Sequence, residues 1–420
     1  MVVSEASKQA LGDLRVLDLA DEKGVYCAKL LADLGADVIK VEPPGGDPIR
    51  NIGPFFHDEP HPEKSLSFFA LNTGKRGATL NIHTVEGRDI FQRLVETADV
   101  LVETYRPGYL DGLGLGYEAL SRLNPRLIVT SITPFGQTGP WKDLKAPDLV
   151  AQALAGLMYI CGFPEDPPNL LACSQAYYLA SINAAVGTLL ALYYRDLTGE
   201  GQQVDVSMQE AAALAQNPVI DQYNLHKAIF RRTGLHLRFN MGRAAYPCKD
   251  GYVYFAPPHR RWGELVAWLD SEGMAQDLNE ERWLDPEYRQ REMRHIEEVW
   301  AAFLAVKTRE QISRAPVHDT ASVGGALTRQ DRLVWGTPVN TTEDVLRDPQ
   351  LLARGYFVDV DHPELDTTIR YPGAPYRLSE TPWHIRCRAP MIGEHNLAIY
   401  EGELGIPRKT LVALKAKGAI

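Results

Sequence analysis

Over the first 135 residues, apolar and β-branched positions fall in short runs separated by segments that carry an apolar stripe at helical spacing. The runs are LRVLDLA (14–20), DVIKVE (37–42), GATLNI (77–82), DVLVET (99–104) and LIVTSIT (127–133). The intervening segments include 24–34, VEGRDIFQRLVETA (85–98) and YEALSRLN (117–124). Short apolar runs of this kind, joined by helices about a dozen residues long, predict parallel strands covered on both faces. The expected class is therefore α/β, a doubly wound, Rossmann-like sheet. Residues 149–198 read as mostly helical and rich in Ala and Leu, and TGEGQQVDVSM (198–208) as a turn into a further strand.

From about 222 to 335 the pattern changes to mixed charge with aromatic clusters and a short strand, YVYFA. ERWLDPEYRQREMRHIEEVWAAFLAV (281–306) reads there as an amphipathic, charge-laced helix with a solvated face. Strand patterns return in FVDVDHP and TIRYPGAPYRL, and the tail reads as a final helix. The expected organisation is a large domain built from both chain ends, 1–221 and 336–420, with a small α+β domain inserted at 222–335. No internal repeat is present.

A doubly wound sheet invites a dinucleotide, but the first strand-to-helix turn, DEKGVY, holds one glycine, and no GxGxxG follows any early strand. A nicotinamide or flavin site is not expected. GxSxG, P-loop, HExxH and EF-hand patterns are absent. His57 and His61 stand four apart, but Pro60 and Pro62 oppose the helix that would align them on a metal. His395, in IGEHN, reads as a turn or cap residue.

The 420 residues carry 44 Lys and Arg against 54 Asp and Glu, a formal charge of −10 with no basic footprint for nucleic acid. Five scattered cysteines without a CxxC point to a reduced protein with neither disulfides nor a thiolate zinc site. Residues 1–12 are polar, and the most apolar helical stretch, 184–194, falls short of the roughly 20 residues of a membrane span. A cytoplasmic protein with no membrane partner is expected.

Longer strings carry more. LADLGADVIKVEPPGGDPIR, NTGKRGATLNI and ADVLVETYRPGYLDGLGLGYEALSRLNPRLIVTSITPFGQTGP occur in that order. PDLVAQALAGLMYICG, LTGEGQQVDVSMQEA, AAYPCKDGYVYFA, DPQLLARG and APMIGEHN follow. Together they resemble the family III CoA-transferases, the carnitine dehydratase and bile-acid-inducible protein group, over almost the whole chain. The resemblance implies two subunits interlocked like linked rings, CoA thioesters as substrates, and no permanently bound cofactor. It also implies a mechanism. An aspartate attacks an acyl-CoA to give a mixed anhydride, the thiolate returns to form an aspartyl-CoA thioester, and an acceptor acid reverses the sequence.

In the family pattern that aspartate stands ten residues before a GxLxAL segment, here GTLLAL from Gly187, and the residue at that place is Tyr177. No acid lies between Cys173 and Arg195. A phenol with a pKa of about 10 is a poor substitute for a carboxylate of about 4. Glu165 and Asp166 in FPEDPP, and Asp148 in PDLVAQ, are the nearby acids. The family's racemase branch uses a histidine and an aspartate, which fall on Pro147 and Tyr177. By the same resemblance, Thr104, Tyr105 and Lys145 would line the CoA path; Lys75 and Arg76 in NTGKRG read either as cations that steer phosphates or as two exposed cations on a helix or sheet rim. Pro43 and Gly112 replace arginines, and the glycine-rich loop of the formyl-CoA branch has no counterpart around RFNMGRA (238–244).

Catalytic residues are thus expected to be missing from this chain, which alone would be inactive. The expected function is the nucleophile-lacking subunit of a heteromer whose homologous partner bears the aspartate. The resemblance implies transfer from succinyl-CoA to an aromatic or dicarboxylic acid such as (R)-2-benzylsuccinate. The alternatives are a homodimeric transferase with a displaced carboxylate nucleophile, and a non-catalytic acyl-CoA-binding protein.

Overall fold

The computed structural model describes residues 9–234, 244–257, 261–313 and 335–420, with the backbone of two short strands at 328–329 and 332–333. Six parallel strands form the main sheet: β1 (Arg15–Asp18), β2 (Asp37–Glu42), β3 (Arg76–Thr79), β4 (Val100–Glu103), β5 (Ile128–Thr133) and β6 (Gln203–Ser207). Their order is β3-β2-β1-β4-β5-β6, all neighbours parallel. The doubly wound class accords with the short apolar runs: β4 and β5 are buried at every position.

Helices cover both faces. On one, α1 (Val25–Asp33) and the helix Gln175–Thr198 share a core with Val16, Val102 and Ile132. On the other, α3 (Val85–Glu96) and the C-terminal helix Arg408–Ala416 pack on Leu17, Leu101 and Val129. A further helix, α2 (Leu66–Asn72), follows β2 and is capped by Ser65, whose hydroxyl accepts the Phe68 N–H.

The backbone separates into two compact units. The first holds the described residues up to Met158, then Leu170–Ile229 and Gln350–Ile420. The second holds Tyr159–Asn169 and the described part of Phe230–Pro349. Its core gathers Trp262, Trp268, Trp283, Trp300 and Trp335 around a sheet that includes Ala244–Cys248 and Gly251–Phe255.

Two elements differ from the sequence pattern. The charge-laced segment is three pieces, Glu281–Leu284, Pro286–Arg291 and Met293–Ala305. Asp285 caps the second by accepting from Glu287, with Pro286 at its first turn. The last piece buries Ile296, Val299, Trp300, Phe303 and Leu304, so it has a core face as well as a solvated one. The long helix spans 24 residues rather than the 184–194 core of its pattern, enough by length and composition to cross a membrane. One side, with Ala176, Ala180, Ala184 and Ala191, is packed on the sheet, where the hydroxyls of Thr188 and Thr130 meet at 2.7 Å. Its other side exposes Ile182, Val186, Leu190, Tyr193 and Leu197.

Candidate active site

Strand order reverses at β1, which pairs with β2 on one side and β4 on the other. In open parallel sheets ligands bind beyond the strand C-termini at such a point. A cavity of about 250 Å³ lies there, lined among others by Asp21, Glu42, Pro43, Asp47, His83, Thr104, Tyr105 and Tyr109. Thr104 and Tyr105 are therefore brought together in the lining of this cavity. The Thr104 hydroxyl donates to Asp21 Oδ1 at 2.8 Å and accepts the Asp21 N–H at 3.0 Å. Tyr105 stacks on Tyr109, ring centroids 4.7 Å apart, and the Tyr109 hydroxyl meets His83 Nε2 at 2.9 Å. Gly24 is required beside this turn: a Cβ there would lie 2.6 Å from Thr104 Cγ2 and 2.8 Å from Ile132 Cδ1.

The cations are elsewhere. Lys75 is fully buried, donating to Asp18 Oδ2 at 2.7 Å, Asn72 Oδ1 at 3.0 Å and the Val25 carbonyl at 3.1 Å. Burial pulls its ammonium down to about 8, with Asp18 opposing. No phosphate reaches a group so enclosed, and its place in NTGKRG is explained by the Asp18 carboxylate that ends β1. Arg76 is half-exposed, but its guanidinium is held by Asp37 at 2.7 and 2.8 Å and by Glu403. Lys145 is exposed and does not line this cavity. Two further buried ion pairs lie under the cavity's rim. Arg50 forks onto Glu42 at 2.6 and 2.8 Å with its guanidinium 3.6 Å over Phe68, and Lys40 pairs with Asp47 at 2.7 Å. The lining is aromatic and acidic, suited to stacking a ring rather than to holding phosphates.

A second cavity, of about 400 Å³, is lined by Glu22, Tyr26, Ile49, Leu71, Cys173, Ser174, Tyr177, Tyr178 and Ser181 among others. Tyr177 stands in the first turn of the long helix. Its phenolic oxygen accepts the Asp148 N–H at 3.0 Å. Burial pushes its pKa up to about 12, despite that hydrogen bond, with Glu22 and Asp148 adding to the rise. The phenolate is thus scarcer than in a free tyrosine.

Asp148 is buried, and each of its oxygens is used: Oδ1 accepts the Ala176 N–H at 2.8 Å and Oδ2 the Gln152 amide at 2.7 Å. It caps the long helix. Pro147 is the exposed residue before the helix Asp148–Ala155. Glu165 and Asp166 are exposed and belong to the second compact unit. Gly112 is exposed at the end of a four-residue helix, and residues 238–243 lie outside the described part.

IGEHN has a structural task. His395 N–H donates to the Gly77 carbonyl at 2.9 Å while its Nδ1 accepts the Gly77 N–H at 3.1 Å. Asn396 Oδ1 accepts the Thr79 N–H at 2.8 Å. The returning chain end thereby covers the free edge of β3. Among the described residues, no group of three or more His, Cys, Asp and Glu is placed to hold a metal.

Glu22, Tyr26 and Tyr178 were not singled out by the sequence. The turn DEKGVY was informative only for its single glycine, although a charged residue just past a strand C-terminus is where a doubly wound sheet presents side chains to a ligand.

The sequence profile of the family described as CoA-transferase family III matches residues 11–396. A Thauera aromatica protein named succinyl-CoA:(R)-benzylsuccinate CoA-transferase subunit BbsE is 38% identical over 418 residues, 98% of each chain. A Chloroflexus aurantiacus protein named succinyl-CoA–L-malate CoA-transferase beta subunit is 29% identical, covering 98% of both chains. The crystal structure of a CAIB/BAIF family protein from Brucella suis superposes with a TM-score of 0.83 at 28% identity, over 94% of this chain and 100% of that one.

Proposed function

The chain belongs to CoA-transferase family III, and on that premise we propose that it is one of two homologous subunits of a succinyl-CoA-dependent transferase. The acceptor is an aromatic or dicarboxylic acid such as (R)-2-benzylsuccinate, after the Thauera relative's name. The principal turnover runs through the aspartate of the partner subunit, and this chain alone contributes little. We assign the assembly to the cytoplasm.

The observation that carries this reading is Tyr177. It occupies the place of the family's nucleophile, its oxygen is engaged by the Asp148 N–H, and its proton is held more tightly than in water. Asp148, Glu165 and Asp166 do not replace it, the first being a helix cap and the others solvent-exposed. A partner is supported by the apolar stripe Ile182, Val186, Leu190, Tyr193 and Leu197, which runs along one exposed side of the long helix. Both relatives named above are called subunits. An interlocked pair would bury such a stripe.

The test is reconstitution. CoA transfer from succinyl-CoA to (R)-2-benzylsuccinate is measured for this chain, for its partner, and for the two together. The proposal expects transfer from the mixture and its loss when the partner's aspartate is changed to alanine. Undiminished transfer with that variant partner would refute it.

A further inference from the structure

The cavity that has lost the family's aspartate has not lost its carboxylate. Glu22 lines it from the turn after β1, facing the same space as Tyr177. The other acids in the neighbourhood are occupied: Asp18 by Lys75, Asp33 by Lys29, Glu42 by Arg50, Asp47 by Lys40, and Asp148 by the Ala176 N–H and Gln152. Among the described residues, Glu22 forms no ion pair: its carboxylate is held only by its own backbone N–H and by the field of Lys23, which is itself paired with Asp21.

The surroundings suit acyl chemistry. Tyr26, Ile49, Leu71 and Tyr178 give mostly apolar walls, and about 400 Å³ is room for a small acyl group. The cavity is also lined by Cys173 and Ser174, both in the left-handed backbone region at φ 64 and 51. That conformation is uncommon for side-chain-bearing residues and concentrates at functional sites. It immediately precedes the N-terminus of a 24-residue helix, whose positive dipole end favours a developing oxyanion. Burial and the neighbouring Asp21 raise the Glu22 pKa, which makes its carboxylate a stronger nucleophile than a solvated one.

We propose that Glu22 is the nucleophile of this cavity, a displaced carboxylate that accepts acyl groups from CoA thioesters in place of the family's aspartate. The inference rests on the transferase reading and adds to it a second, slower site in the subunit where position 177 is vacant of an acid. A Glu22 carboxylate oxygen attacks the thioester carbonyl carbon. The C–O bond forms, the C–S bond breaks, and the electron pair leaves with the CoA thiolate, giving a mixed anhydride. The thiolate then attacks the Glu22 carbonyl carbon, forming a glutamyl-CoA thioester as the anhydride C–O bond breaks and the donor acid departs as its carboxylate. No oxidant, reductant or further reactant is consumed.

The experiment is trapping. The purified protein, alone and with its partner, is incubated with succinyl-CoA, quenched with neutral hydroxylamine, digested and mapped by mass spectrometry. The expected result is a hydroxamate on Glu22, lost in Glu22→Gln and kept in the control Glu165→Gln. Glu22→Gln is isosteric, and an unchanged melting temperature shows that the loss is chemical. A hydroxamate confined to the partner's aspartate overturns this inference and leaves the transferase reading intact. No adduct on either chain, together with no CoA transfer by the pair, overturns both.

Discussion

The backbone N–H of Asp148 donates to the phenolic oxygen of Tyr177 at 3.0 Å, while the Asp148 carboxylate accepts the Ala176 N–H at 2.8 Å. The two residues are thus bound to each other twice over, once directly and once through the first turn of the long helix. That arrangement makes the tyrosine a structural acceptor and the aspartate a cap. Each conclusion can be measured.

For Tyr177→Phe, the Asp148 N–H loses its partner in a half-buried place, which costs about 1 kcal/mol. Transfer by the assembled pair should persist at more than about a tenth of its rate, whereas losing a true nucleophile removes several orders of magnitude. Steady-state rates and thermal melts on one preparation check both halves. A loss of turnover with no loss of stability would make the phenol chemical.

Asp148→Ala removes the cap and strands the Gln152 amide. The expected penalty is about 1–2 kcal/mol from the cap alone. Denaturant midpoints should fall, while trapping at Glu22 per folded molecule stays as it was.

Lys75 carries a prediction that separates core from cofactor. Lys75→Met leaves Asp18 buried without a counter-charge and should cost about 3–5 kcal/mol. Adding Asp18→Leu should recover much of it, since an apolar pair of similar volume replaces an ion pair at little cost. A Lys75→Met protein of normal stability with a raised KM for succinyl-CoA would instead return the lysine to the phosphates.

Glu103, buried at the end of β4, supplies a pH dependence. Burial pushes its carboxyl up to about 7, although hydrogen bonds from Ser131 and the Tyr105 N–H work the other way. Between its ordinary value of 4.5 and about 7 the folded chain holds a proton that the unfolded chain has released. Stability therefore falls as pH rises through that window. Glu103→Gln keeps an acceptor for the Tyr105 N–H and does not titrate. Its melting temperature should gain on the wild type from pH 4.5 to 7 and run parallel above; curves parallel throughout would contradict the assignment.

The sheet was legible because short apolar, partly β-branched runs recur between helical stripes, even though polar positions within them are buried too, as Lys40 and Glu42 of β2 are in ion pairs. Tertiary roles were not. NTGKRG looks like an exposed basic loop, and only the position of Asp18 at the end of an apolar run hints that a cation is drawn inward to it. IGEHN could be read as a cap but not as the cover of a strand 318 residues away in sequence. The charge-laced segment hid its core face because charged residues fall between the apolar ones at helical spacing, and Pro286 hid a helix start inside a continuous stripe. Position 177 was legible from sequence because it rests on counting back from Gly187. Glu22 was not, since its meaning depends on which neighbours are already paired.

The most direct measurement of the central claim is CoA transfer from succinyl-CoA to (R)-2-benzylsuccinate by this chain mixed with its homologous partner, the partner's aspartate intact or changed to alanine. The account predicts strong transfer with the intact partner and a loss of at least about a hundredfold with the variant. Full transfer by this chain as a homodimer, with no partner present, would contradict it.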